Sequence, residues 1–151
     1  MQDKAVPVAA AQPAQAAPLR VFLVEDLGST RELMAELFTA IGRVAVVGTA
    51  ASEGEAKLWL DEHPGAWDIA VLDLILEAGS GMGVIPHCKR LHPAAKVVVF
   101  SGYASPVLHR HCTRLGADAM FHKDETGAFI GWFGQQLAPT AGAEPARGFA
   151  A

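Results

Sequence analysis

Cysteine is scarce in this chain of 151 residues: Cys88 and Cys112 are the only two. They have neither C-x-x-C nor metal-ligand spacing, which excludes a disulfide scaffold and a zinc site. Both fall in helix-like stretches and read as reduced, partly buried apolar residues. No run approaches the roughly 18 apolar residues of a membrane helix, and the Ala/Pro/Gln-rich start lacks the apolar core of a signal peptide. A cytoplasmic location is expected. Neither charge sign dominates: 12 basic and 16 acidic side chains give a formal net charge of -4, no footprint for nucleic acid. No G-x-G-x-x-G or P-loop follows the first strand-like run, which disfavours a nucleotide site, and no solenoid-type repeat appears.

What is present is ordinary globular material, 51% apolar and 19% charged. That length suits one domain, which buries roughly two thirds of its unfolded surface. Met1 to Pro18 has no helical or alternating period and is expected to be a disordered arm, and residues 138–151 a disordered tail. Between them, over 19–137, five short apolar runs alternate with helix-period segments: Val21–Val24, Val44–Val47, Ile69–Leu72, Val97–Phe100 and Ala119–Phe121. Continuous apolar strands separated by helices predict a parallel α/β sheet covered on both faces. Right-handed crossovers then favour a doubly wound, flavodoxin-like (βα)5 sheet of order 2-1-3-4-5.

The helices carry their own marks. Ser29 or Thr30 is expected to cap a first helix with Leu33, Leu37 and Ile41 on its apolar face, and Ser52 a second through Leu58 and Leu60. A third spans about Met82 to Leu91, where Pro86 suits only the first turn. Ser105-Pro106 opens a fourth, ended by Gly116, and a fifth from about Thr126 aligns Phe129, Phe133 and Leu137.

In such a sheet the functional crevice lies beyond the carboxyl ends of the strands. Glu25-Asp26 follows strand 1, Asp73 strand 3, Ser101-Gly102 strand 4, and Lys123 strand 5. Strands 1 and 3 are neighbours at about 4.8 Å, so Asp26 and Asp73 converge within reach of one ion. Carboxylates crowded there repel, by about 4 kcal/mol per pair at 4 Å and an effective dielectric of 20. Mg²⁺, a hard cation taking oxygen ligands, is the natural compensation. Ser101 is on the adjacent strand, where a short hydroxyl suffices. Lys123 is two strands away, where only a long side chain reaches. A carboxylate nucleophile ringed by metal, hydroxyl and ammonium suits phosphoryl transfer.

The acid pair, the Asp73-to-Gly81 loop, Ser101-Gly102, and Gly116-Ala-Asp118 leading to Lys123 together resemble the receiver domain of response regulators, over about Leu19 to Leu137. The resemblance implies that Asp73 is the phosphoacceptor, that Glu25 and Asp26 bind the metal with the Ile75 carbonyl, and that Ser101 is the switch hydroxyl. Lys123 then pairs with the phosphoryl group. Ile75 and Tyr103 occupy positions that tune dephosphorylation in this family. The implied partners are a sensor histidine kinase or histidine phosphotransfer protein and a downstream protein, with self-association also open and neither membrane nor nucleic acid engaged. Three departures stand out. Asp124 replaces the proline after the lysine, so no cis peptide is expected there. Glu77 replaces a proline four residues after the acceptor. Met120 holds the aromatic switch position, with Phe121 one place later.

The residues leave blander roles open: a turn aspartate at Asp73, a cap at Glu25-Asp26, a surface lysine at Lys123. The six histidines read as surface or packing residues; His109 and His111 lie about 200° apart on a helix and cannot share a ligand face. Trp132 is split between core and rim, and if exposed is a candidate partner contact. The expectation is a single-domain switch with no effector module, catalysing only its own phosphorylation and dephosphorylation. The alternative is a receiver-like scaffold that is never phosphorylated. A phosphatase working through an aspartyl-phosphate is disfavoured, because Ile75 stands where its second aspartate belongs.

Overall fold

The computed structural model describes residues 17–137. All of the expected arm except Ala17 and Pro18, and the whole expected tail, lie outside the described residues. Strands and helices alternate as β1 (Leu19–Val24), α1 (Gly28–Ile41), β2 (Val44–Ala50), α2 (Glu53–Glu62), β3 (Ile69–Leu72), α3 (Gly81–Leu91), β4 (Lys96–Ser101), α4 (Pro106–Leu115), β5 (Ala119–His122) and α5 (Thr126–Leu137). The strands make one parallel sheet in the order β2-β1-β3-β4-β5, the flavodoxin-like order read from the sequence.

The absence of alternation in the strands has its reason here. Successive side chains point to opposite faces, and both faces are covered. Phe22, Val24, Leu72, Val97, Val99 and Met120 pack with residues of α2, α3 and α4 on one side. Val21, Leu23, Val71, Val98 and Phe100 pack with Met34 and Phe38 of α1 and Phe129 and Phe133 of α5 on the other. Phe121, one residue beyond Met120, joins that second side, edge-on to Phe129 at 6.0 Å between centroids. Cys88 and Cys112 are fully buried free thiols, and burial pushes Cys88 up to about 12.

Several local expectations hold. Ser52 caps α2 by accepting from the Glu55 N–H at 3.1 Å, and Ser105 caps α4 from Leu108 at 3.2 Å. Gly116 ends α4 at φ 120°, a conformation that side-chain-bearing residues rarely adopt. Others need correction. Helix α1 begins at Gly28, before Ser29 and Thr30, and its N-cap is Leu27, which offers no side-chain cap. Leu27 serves instead through its backbone, accepting the Arg31 N–H at 3.0 Å and donating its own N–H to Glu25 Oε2 at 3.3 Å. The buried stripe of α1 centres on Met34 and Phe38, and Leu33, about 100° from Met34, is 52% exposed. Leu58 of α2 likewise faces solvent, while Ala56 and Leu60 are buried.

Pro86 is inside α3, well past the first turn. It lacks the N–H that would reach the Met82 carbonyl, yet the helix continues because Val84, Ile85 and Cys88 are fully buried around it. In β2 the pairing with β1 shifts between Val46 and Gly48. A Cβ on Gly48 would meet the Trp59 ring at 2.5 Å, so the missing side chain is what lets Trp59 stack on Phe22 at 4.1 Å and 7°.

At the end of the sheet remote from the crevice, Asp68 accepts from Arg20 N, Nε and Nη2 at 2.8, 3.1 and 2.9 Å. Burial alone would raise the Asp68 carboxyl, but these hydrogen bonds and the Arg20 charge outweigh it and hold it below its usual value. A depressed carboxylate stabilises the fold above its unfolded pKa, about 3.9, and that contribution is lost as pH falls through the folded value. Asp68→Asn is therefore expected to melt below wild type at pH 7, with the gap closing as pH drops below about 4. Melting curves of both proteins across that range check this.

Candidate functional site

The parallel sheet delivers Glu25-Asp26, Asp73, Ser101 and Lys123 to one edge. Asp26, Leu27, Asp73, Ile75, Tyr103 and Lys123 line a crevice of about 260 Å³. Carboxylate oxygens of Glu25, Asp26 and Asp73 lie within 4.8 Å of one another. Lys123 crosses from β5 to donate to Glu25 Oε1 at 3.0 Å and to Asp73 Oδ2 at 3.1 Å. The carboxylates are graded in exposure: Glu25 is 3% and Asp73 6% accessible, while Asp26 is half-buried. Among the described residues Asp26 has no hydrogen-bond or ion-pair partner.

Electrostatics follows from this count of charges. Burial pushes the Glu25 carboxyl up, and the neighbouring Asp73 adds to that, against the pull of Lys123. Burial alone would lower Lys123, but the hydrogen bonds it donates to Glu25 and Asp73, with their charges, outweigh burial and raise the ammonium. Both shifts describe one situation: Glu25 and Asp73 share one ammonium with the Asp26 carboxylate close by, so further positive charge is favoured. The donors are all hard oxygens, close enough to surround one small divalent cation with water completing its shell, and Asp26 is free to join. The residues fit Mg²⁺.

The backbone around Asp73 is tightly held. Asp73 Oδ1 receives the Ile75 N–H at a long 3.4 Å. Ser80 Oγ donates to the Leu74 carbonyl at 3.1 Å, the Gly81 N–H donates to the same carbonyl at 3.1 Å, and Ile75 bridges Ser80. A Cβ at position 81 would collide with the Asp73 carbonyl oxygen. At the β5–α5 turn the Lys123–Asp124 peptide is trans. Without the family's proline the turn is tied by Lys123 N–H to the Ser101 carbonyl at 2.9 Å, Asp124 N–H to His122 Nδ1 at 3.0 Å, and His122 N–H to Glu125 Oε1 at 2.8 Å.

Of the residues singled out in the sequence, Glu25, Asp26, Asp73 and Lys123 meet directly. Ser101 does not touch Asp73: its hydroxyl is fully buried and accepts the Tyr103 N–H at 3.2 Å. Ile75 and Tyr103 stand at the mouth, 54% and 60% exposed. Met120 is buried on the α4 side of β5 and lines a groove with Pro106, His109, Arg110 and Glu125. His109 and His111 are exposed, and Trp132 is half-buried against Phe133. Sequence reasoning missed Leu27, which lines the crevice, and Arg31, whose Nη1 donates to the Glu25 carbonyl at 2.7 Å. With α1 starting at Gly28, Arg31 is its fourth residue, at the end of the first turn.

Comparison with known proteins agrees with this geometry. The profile of the response regulator receiver domain matches residues 21–129. Similar proteins include a cyclic di-GMP phosphodiesterase of Thermotoga maritima, 30% identical over 105 residues, covering 70% of this chain and 27% of that one. The methanol utilization control regulatory protein MoxX of Paracoccus denitrificans is 29% identical over 121 residues, covering 76% and 51%. The chain thus spans about a quarter to a half of the length of these curated relatives. A two-component response regulator of the LuxR family from Aurantimonas sp. SI85-9A1 superposes with a TM-score of 0.72 at 25% identity, over 80% of this chain and 86% of that chain. With most of its length matched in sequence and fold, and its acid cluster and lysine at the expected strand ends, the chain belongs to the response regulator receiver domain family of two-component signalling.

Proposed function

We propose that the protein is a phosphorylation switch in which Asp73 takes a phosphoryl group from a phospho-histidine, borne by a sensor histidine kinase or a histidine phosphotransfer protein. The observation that carries the reading is Lys123 reaching across from β5 to Asp73 and Glu25, beside a third carboxylate, Asp26, with no hydrogen-bond or ion-pair partner among the described residues. Burying such a cluster is costly, and a scaffold that is never phosphorylated has no use for it.

An Asp73 carboxylate oxygen attacks phosphorus as the P–N bond breaks, and the electron pair of that bond returns to the donor imidazole. Lys123 neutralises phosphoryl oxygens while staying anchored on Glu25. The Ser101 hydroxyl exchanges the Tyr103 N–H for a phosphoryl oxygen. Glu25, Asp26, Asp73 and the Ile75 carbonyl would hold Mg²⁺, which when bound offsets negative charge on the carboxylates and the incoming phosphoryl group. No external substrate is turned over, since Ile75 supplies no second acid. Output passes by changed protein contacts of the receiver domain of residues 19–137, in the cytoplasm, or by self-association. Among the described residues no helix is long and apolar enough to cross a membrane. Met120, with three flexible bonds, couples Ser101 to the α4 face less sharply than a ring would.

Incubation with a small phosphodonor and Mg²⁺ is expected to add one phosphoryl group to wild type and none to Asp73→Asn, read by intact mass. An unmodified wild type would leave the scaffold reading standing. By binding the native state, Mg²⁺ at tenfold above its Kd is expected to stabilise the fold by about 1.4 kcal/mol and so to raise the melting temperature. Asp26→Asn blunts that shift; equal shifts in both proteins would count against the site.

Ile75 and Tyr103 crowd the path of an attacking water, so the phosphorylated form is expected to be long-lived. Ile75→Asn with Tyr103→Ala shortens that lifetime in a dephosphorylation time course. An unchanged decay rate would remove these side chains from the mechanism.

A further inference from the structure

The loop from Asp73 to Gly81 is fastened at its far end to a residue of another helix. Glu53, the first residue of α2, accepts the Ser80 N–H on Oε1 at 2.9 Å, and its own N–H donates to the Ala78 carbonyl at 3.0 Å. Its other oxygen pairs with Lys57 at 2.8 Å, one helical turn on. The Lys57 ammonium, and after it the Ser80 N–H, hold the Glu53 carboxyl below its usual range, so it is an anionic acceptor at neutral pH. The loop is shaped around this side chain. A Cβ at Gly79, whose φ is +84°, would stand 2.5 Å from Glu53 Cβ, and one at Gly83 would collide with Glu53 Oε2.

We infer that Glu53 is a positioning residue for the metal and phosphoryl site: through Ser80 it fixes the Leu74–Ile75 backbone that follows Asp73. The chain of contacts is short. Glu53 holds the Ser80 amide; the Ser80 hydroxyl holds the Leu74 carbonyl; the Ser80 backbone bridges Ile75; and Gly81 seats against the Asp73 carbonyl. Glu77 occupies the place where a proline would stiffen this loop from within, and its side chain is exposed. Stiffness is supplied from outside, by an acceptor oxygen of α2 that reaches the Ser80 N–H. Groups that orient a metal's direct ligands typically change its affinity by tenfold or more when removed.

The inference rests on the proposed Mg²⁺ site and is tested by calorimetric titration of MgCl₂ into the full chain, unphosphorylated, with melting curves alongside. Glu53→Asp keeps the charge at the start of α2 but is one methylene too short for Ser80, and is expected to bind Mg²⁺ on the order of tenfold more weakly, as is Glu53→Ala. Glu53→Gln keeps an acceptor oxygen at full reach and is expected to stay near the parent, as is Lys57→Met, which removes only the ion pair. Should the alanine variant not fold, aspartate and glutamine decide. A folded Glu53→Asp with parental affinity, or a Glu53→Gln as weak as alanine, would overturn the positioning role while leaving the metal site intact. A parent chain that takes up no Mg²⁺ would overturn the metal site itself, and this inference with it.

Discussion

In a parallel sheet every strand hands its last residue to the same edge, and helices on both faces leave that edge uncovered. Glu25, Asp73, Ser101 and Lys123 are delivered to one edge by this one constraint, and Glu25, Asp73 and Lys123 meet there. The four residues come from four strands and are separated by as many as 98 positions in the chain, so no local motif could assemble them. The order β2-β1-β3-β4-β5 puts the acids on neighbouring strands and the long lysine two strands from Asp73. Side-chain length matches the distance to be covered.

The crevice is held together under electrostatic imbalance. Lys123 satisfies two buried carboxylates at once, and half-buried Asp26 has no hydrogen-bond or ion-pair partner among the described residues. A fully neutralised cluster would have little to gain from a ligand, whereas this one gains from any added cation. Each carboxylate oxygen of Glu25 and Asp73 accepts one hydrogen bond, from Lys123, Leu27 or Ile75, which leaves a second lone pair on each for a cation.

Strand positions were legible because burial on both faces demands bulky, branched residues without interruption, and Ile69–Leu72 shows this in its shortest form. The caps at Ser52 and Ser105 were legible because their hydrogen bonds are local. So was the gathering of Glu25, Asp26, Asp73 and Lys123 at the strand ends, once the sheet order was argued. What escaped was decided by particular hydrogen bonds and packing. The start of α1 depends on Leu27 sharing its amide with Glu25. Pro86 survives inside α3 because of packing from outside the helix. Ser101 faces the Tyr103 amide, and Glu53 meets Ser80 across 27 positions. Propensity and periodicity carry no term for any of these.

The two faces of the sheet differ in stiffness at the β4–β5 end. Toward α5, Phe100, Phe121, Phe129 and Phe133 interlock, with Phe100 and Phe129 stacked at 4.3 Å. Toward α4 the fill is Val97, Val99, Met120, Cys112 and Ala117. Rings can shift only in concert with their neighbours, while a thioether and small aliphatic groups rearrange one at a time. Under strain arriving at Ser101, α5 behaves as the rigid wall and α4 as the yielding one, so the two helices that flank β5 are mechanically unequal.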